Sequence, residues 1–161
     1  MFLFNILSLK LYQIKTKQQL PITVEKAWSF FSNPKNLKEI TPKEMNFRIM
    51  SGADRPIFSG QIIQYKVSPI FGISTKWVTE ITHVKEKEYF VDEQRFGPYS
   101  LWHHKHFIRW IDGGIEMEDI VDYKIPFGFI GQIAHFLFVK NKLKQIFKYR
   151  ENKLIELFGK I

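Results

Sequence analysis

The sequence contains no cysteine, which removes disulfides, thiolate nucleophiles, zinc knuckles and iron–sulfur clusters from consideration. It also lacks a glycine-rich phosphate loop, zinc-finger spacing and any aromatic RNA-binding motif. Lys and Arg number 24 against 16 Asp and Glu, a formal charge of +8. That charge draws phosphates and anionic lipid through long-range attraction, but without a motif beside it no nucleic-acid partner is expected. The nine glycines and seven prolines punctuate the chain rather than gather in a linker, and no internal repeat is present, so one domain spanning 1–161 is expected. Long apolar runs are missing too. Met1 to Ser8 is apolar, yet it has no basic n-region or small-residue cleavage site, and Lys10 interrupts it before a spanning length is reached; the expectation is a soluble, cytoplasmic protein.

What the chain has in abundance is aromatic side chains: 16 Phe, six Tyr and four Trp, 16% of the residues. Hydrophobic residues at 45% and charged residues at 25% are those of a globular domain. At 161 residues, roughly 68–70% of the unfolded surface can be buried. The flat rings exceed what a helical bundle uses, and such rings line cavities as well as fill cores.

Leu9 to Gln19 is rich in β-branched and aromatic residues and closes at Pro21, the pattern of a first strand. The period then changes. Val24, Ala27, Trp28 and Phe31 follow helical spacing with Thr23 as N-cap, and Asn33 before Pro34 caps a second short helix carrying Leu37 and Ile40. From Met45 to Lys124 alternation dominates, broken at Ser51-Gly52, Ser59-Gly60, Ser68-Pro69, Gly97-Pro98 and Asp112-Gly113-Gly114, which gives an antiparallel meander of about six strands. Ile63, Tyr65 and Val67 share one face, and Trp77, Thr79 and Ile81 share another. Pro126 opens a last helix running to about Phe158, whose predicted apolar stripe is Phe136, Val139, Leu143, Ile146, Phe147, Leu154 and Phe158. At about 30 residues and roughly 45 Å it must pack across the sheet. The fold class is therefore α+β: a curved antiparallel sheet of about seven strands around a long C-terminal helix, with two short helices after strand 1.

Several stretches resemble the bacterial branch of the START-like, or SRPBCC, ligand-binding superfamily. They are the run from Ala27 to Leu37 (AWSFFSNPKNL), Gly60 to Tyr65 (GQIIQY), Trp77 to Thr82 (WVTEIT), Asp92 to Tyr99 (DEQRFGPY) with Trp102 and His104, and Asp122-Tyr123 with Pro126-Phe127-Gly128 before the last helix. The resemblance covers about Leu11 to Phe158. It implies the helix-grip architecture, on which lipid carriers, plant hormone and allergen proteins, aromatic polyketide cyclases and chaperone activators are built. One scaffold with so many uses transfers fold better than function.

Candidate chemistry concentrates on Trp102, His104 and His106, on one face of a strand, against Asp119 on the next. If Asp112-Gly113 forms a two-residue type I′ turn, His106 faces Asp119; if Gly113-Gly114 is the turn, Asp119 faces Ile108 and His106 is a diagonal neighbour. Both registers put Ile108, Trp110, Met117, Val121 and Tyr123 on the same face and Lys105, Arg109, Glu116 and Glu118 on the other. A carboxylate beside an imidazole fixes its tautomer and raises its basicity, so His106 and Asp119 are the catalytic candidates; a structural or ligand-orienting role is the first reading. His-x-His with Asp119 or Glu93 could also ligate a metal, but no spacing-specific motif supports it, and neither metal nor cofactor is expected. Asp92, Glu93, Gln94 and Arg95 form a second polar knot in which alternation sends one acid inward; Asp92 and Arg95 read as an ion-pair network, with Glu93 left open as the cavity acid. Tyr65, Tyr99 and Tyr123 can place hydroxyls at an apolar wall.

The expected function is binding or transport of a small hydrophobic or aromatic ligand in an internal cavity. Its expected lining is Tyr65, Trp77, Ile81, Glu93, Trp102, His104, His106, Asp119 and Tyr123. The alternatives are a cyclase- or dehydratase-type enzyme using the His106–Asp119 pair, and a regulatory protein-interaction module. The lysine-rich polar side of the last helix (Lys140, Lys142, Lys144, Lys148, Arg150, Lys153), following an all-apolar stretch, suggests transient contact with an anionic membrane surface; a monomer or weak dimer is expected.

Overall fold

A computed structural model describes residues 10–69 and 72–161, so the apolar start Met1–Ser8, and Leu9 as the first residue of the opening strand, lie outside the described residues. Seven strands form one antiparallel sheet: β1 (Tyr12–Leu20), β2 (Arg48–Ser51), β3 (Gln61–Val67), β4 (Thr75–Lys85), β5 (Tyr89–Phe96), β6 (Leu101–Ile111) and β7 (Gly114–Lys124), in the order β1-β7-β6-β5-β4-β3-β2. The meander of six strands is thus closed at one edge by β1, which pairs along its whole length with β7. Helix α1 (Val24–Phe31) is capped by Thr23, whose hydroxyl accepts from the Lys26 amide, and Asn33 caps a short 3₁₀ helix at Pro34–Lys38 in the same way. A further 3₁₀ turn at Lys43–Met45 precedes β2.

The β6–β7 hairpin sets the register on which the site depends. Ile111 pairs with Gly114 and His106 with Asp119, so the turn is Asp112-Gly113. It is not the expected type I′. Gly113 has φ +81° while Asp112 stays out of the positive region, and a glycine alone at positive φ in the third position is the signature of a type II turn. A two-residue loop gives the same pairing with either geometry, so the register survives the change of turn.

The final helix is interrupted. Gly128–Ala134 (α2) and Lys140–Phe158 (α3) are α-helical, and His135–Val139 between them is a π-helical segment. The wider i→i+5 turn admits one extra residue and rotates the face. Gly131, His135, Val139 and Leu143 are consequently buried, while Phe136 is 77% exposed. The sequence stripe placed Phe136 inside; His135 occupies that position instead. Gly131 is there because the helix presses onto the preceding chain: a Cβ at this position would collide with the Pro126 carbonyl oxygen.

Core packing gathers in three groups. Leu20, Ala27, Phe31, Ile115, Met117 and Leu154 join α1, the β6–β7 hairpin and the end of α3. Tyr99, Val121, Tyr123, Val139 and Leu143 hold the beginning of the last helix, and Ala53, Ile63, Tyr65 and Ile81 lie under the far strands. Trp110, expected on the inner face by alternation, is 73% exposed; it sits at the turn end of β6, outside all three groups. Among the described residues no helix is long and apolar enough to cross a membrane.

Candidate functional site

A belt of polar side chains crosses the inner face of three adjacent strands. Asp92 of β5 pairs across the sheet with His104 of β6, Phe90 with His106, and His106 with Asp119 of β7. Alternation turns all four polar groups inward, because each sits an even number of residues from an apolar core position on its own strand. His104 Nε2 donates to Asp119 Oδ1 at 2.9 Å, and His106 Nε2 donates to Asp92 Oδ2 at 2.8 Å. The two imidazoles lie 3.7 Å apart between ring centroids, Phe90 stacks on His106 at 4.0 Å, and Phe147 of α3 meets His104 edge-on at 5.9 Å. Arg150, also from α3, brings its guanidinium to 3.7 Å from Asp119 Oδ1.

The charges of this buried group follow from its geometry. Burial works to raise both carboxyls. The Arg150 charge and the contacts of both histidines outweigh it at Asp119, which is held well below the ordinary range; the His106 hydrogen bond and the charges of His104, His106 and Arg150 do the same at Asp92. Both acids are therefore acceptors, and each histidine carries its proton on Nε2. His106 Nδ1 lies 2.7 Å from Asp119 Oδ1 without hydrogen-bonding geometry. A lone pair there would repel the carboxylate, whereas a proton is attracted. Burial pulls His106 down, but Asp119 and Asp92 overcome it and hold the imidazole above its ordinary value. His104 goes the other way, lowered by burial and by the charge of His106 against the pull of Asp119. Two adjacent histidines are thus shifted in opposite directions, His106 upward and His104 downward.

Above the belt lies a partly open cavity of about 210 Å³. Its walls are Ile63, Tyr65, Trp77, Ile81 and Trp102 on the sheet, Tyr99 in the loop between β5 and β6, and Leu143, Ile146 and Phe147 from α3, with Asp92, His104, His106 and Arg150 as the charged or titratable lining. Trp77 and Trp102 meet edge-to-face at 5.3 Å, and Trp77 Nε1 donates to Thr79 Oγ1 at 3.0 Å. Burial pushes the phenols of Tyr65 and Tyr99 upward, so both stay neutral. Two buried nitrogens of this wall lack a hydrogen-bond partner among the described residues: His106 Nδ1, which lies against Asp119, and Arg150 Nε.

Of the residues expected to line the cavity, Tyr65, Trp77, Ile81, Trp102, His104 and His106 do so. Asp119 stands behind the two histidines and faces a second groove between β1 and α3, which Arg150 also borders. Glu93 is on the outer face of the sheet, bonded to Arg95 at 3.0 Å and to His103 at 3.0 Å. The inward acid of that strand is Asp92, since the β5–β6 register sets Asp92, not Glu93, opposite His104. Tyr123 is buried away from the cavity. Burial raises its phenol to about 12; its hydroxyl shares a hydrogen bond with His135 Nε2 at 2.9 Å, and Tyr12 stacks on the same imidazole at 3.6 Å.

The basic polar side expected for the last helix includes Arg150, yet its side chain is 12% exposed. The signal was in the spacing: Leu143, Phe147, Arg150 and Leu154 run at helical intervals along the buried stripe, with an arginine where an apolar residue would serve the core. For metal binding, Asp92, His104 and His106 each offer a ligand atom within 4.8 Å of the others, with Asp92 in place of the Asp119 or Glu93 considered from sequence. Arg150 beside them opposes a cation, and within the set His106 is already hydrogen-bonded to Asp92.

No family model matches the sequence, and no curated protein matches it. Among solved structures it is similar to a protein from Chromobacterium violaceum at 14% identity and TM-score 0.69, covering 92% of this chain and 99% of that one. It is similar to Ara h 8.0201 at 16% identity and TM-score 0.57, covering 91% and 99%. A third is a point mutant of norcoclaurine synthase from Thalictrum in complex with a transition-state analogue, at 12% identity and TM-score 0.63, covering 92% and 96%. The chain therefore has the START-like helix-grip fold, the architecture its sequence motifs resemble. At such identities the likeness establishes the fold alone.

Proposed function

We propose that this protein binds a small hydrophobic or aromatic molecule carrying a hydrogen-bond acceptor, a carbonyl or carboxylate, with its apolar body between Trp77, Trp102 and Phe147 and its acceptor at Arg150. The observation that carries this reading is the buried, unmatched Arg150 Nε at the wall of an otherwise apolar cavity. A buried donor without a partner costs on the order of 1–3 kcal/mol, more when charged, and a bound acceptor recovers it. The norcoclaurine synthase structure is of a complex with a transition-state analogue; for this chain the ligand class is supported by the cavity lining.

The test uses anilinonaphthalene sulfonate, an aromatic probe with an anionic acceptor, and Nile red, an uncharged one. Both are expected to bind at about micromolar Kd, near −8 kcal/mol, and to quench tryptophan emission. Replacing Trp77 and Trp102 together by Phe removes the quenching. Arg150→Met weakens the sulfonate probe about tenfold or more and leaves Nile red within a few-fold. Equal loss of both probes, or of neither, overturns the assignment of Arg150.

A second reading, acid–base catalysis, is favoured by the opposite shifts of His104 and His106 at the cavity wall, one lowered and one raised, since neighbouring groups with divergent proton affinities divide the roles of base and acid. In it Asp119 is a positioning residue behind both. The molecule that co-purifies with the protein, identified by mass spectrometry and incubated with it, is converted under this reading and returned unchanged under the first.

A further inference from the structure

The outer face of the last helix opens on solvent at a place where the fold has large apolar side chains. Phe129, Ile133 and Phe136 follow one another along that face at three- and four-residue intervals, with Ile130 and Leu137 in the adjacent row. Phe129 is 65%, Ile130 74%, Phe136 77% and Leu137 53% exposed. A folded monomer rarely leaves such a contiguous apolar face uncovered unless something docks on it. The same two rows continue into Lys140 and Lys144, both exposed. Between Asp122 and Glu151 the sequence has no acidic residue, so no carboxylate on this stretch offsets the lysines. Lys10 and Leu11 are exposed at the start of β1, next to Tyr12, which stacks on His135 of the same helix.

We propose that this face docks on an anionic membrane surface, the side chains of α2 and the π segment entering the boundary between headgroups and acyl chains and Lys140 and Lys144 lying among the headgroups. Apolar area and positive charge in succession along one helix face is the arrangement that binds anionic interfaces. Lys140 is four residues beyond Phe136, about 6 Å along the axis, a distance that a flexible lysine stem spans to reach headgroup level. A second copy of the chain fits less well, because pairing like faces brings the lysines of both copies together on molecules that each carry +8. The inference is independent of what occupies the cavity.

Co-sedimentation tests it with vesicles of equal parts phosphatidylcholine and phosphatidylserine, beside vesicles of pure phosphatidylcholine. The wild-type protein is expected to partition onto the mixed vesicles and much less onto the pure ones, with partitioning falling as salt rises. Lys140→Gln with Lys144→Gln should weaken it about thirty-fold, and Phe129→Ser with Ile130→Ser about tenfold or more. All four side chains are exposed, so circular dichroism should show both double variants folded. Wild type left in the supernatant, or serine variants that partition as well as wild type, would overturn the proposal. So would a concentration-dependent dimer that the serine pair abolishes while vesicle binding stays absent.

Discussion

His106 is the residue on which the site's electrostatics turn, and its behaviour with pH has a definite sign. Its folded-state proton affinity lies above the ordinary value of 6.5. The stability it contributes is therefore fully present below that value and is lost as pH rises through the higher, folded one. Asp92 and Asp119 are depressed from 3.8, so their contribution holds above that value and is lost as pH falls through theirs. His104 and His135 are lowered from 6.5, so they take stability away as pH falls below that value, and stability by urea titration should peak near pH 6.5 and decline on both sides. Asp119→Asn removes a charge that Arg150 and both histidines share. It should cost about 3 kcal/mol, the scale of breaking a buried charge pair, and NMR titration should find His106 shifted to lower pH. An unmoved His106 titration would separate Asp119 from the imidazole's charge.

Among the elements, the last helix does the most to make the site, since it brings Phe147 and Arg150 onto the sheet. Its approach depends on Gly131, where a side chain would strike Pro126, and on the π segment that keeps His135, Val139 and Leu143 on the buried face. Gly131→Ala gains helix propensity but forces α2 away from the preceding chain. The expected balance is a loss of about 1–3 kcal/mol, the cost of overpacking, seen as a lower Tm with weaker probe quenching. An alanine variant as stable as wild type would show that the contact yields without strain.

Over the whole molecule, the two ends of the described chain are tied through one core. Leu20 at the end of β1, Phe31 in α1 and Leu154 near the end of α3 belong to a single packed group, and Gln18 Nε2 donates to the Glu151 carbonyl at 2.9 Å. Leu154 is 2% exposed, so Leu154→Ala should cost about 2–5 kcal/mol and lower the denaturant midpoint in a single transition. If only part of the signal were lost at lower denaturant, the helix would be unfolding apart from the sheet.

The amino-acid sequence by itself determined the order of the elements and, in β3 and at the helix caps, their faces. Alternation at Ile63, Tyr65 and Val67, the caps at Thr23 and Asn33, and the short loop at Asp112-Gly113 are local signals, read over a few residues, and each is met in the fold. The hairpin was short enough that the pairing of His106 with Asp119 came from counting. Three things were decided by tertiary structure. Asp92 rather than Glu93 faces inward because that depends on how β5 pairs with β6, and the hydrophobic pattern of Asp92 to Arg95 carries no apolar residue to fix the phase. His135 replaces Phe136 because a π turn changes the helical period where Gly131 must fit under Pro126. Arg150 becomes part of the cavity wall because α3 crosses the sheet over Asp119, and a cation on a helix shows its partner only when a distant strand supplies the opposite charge.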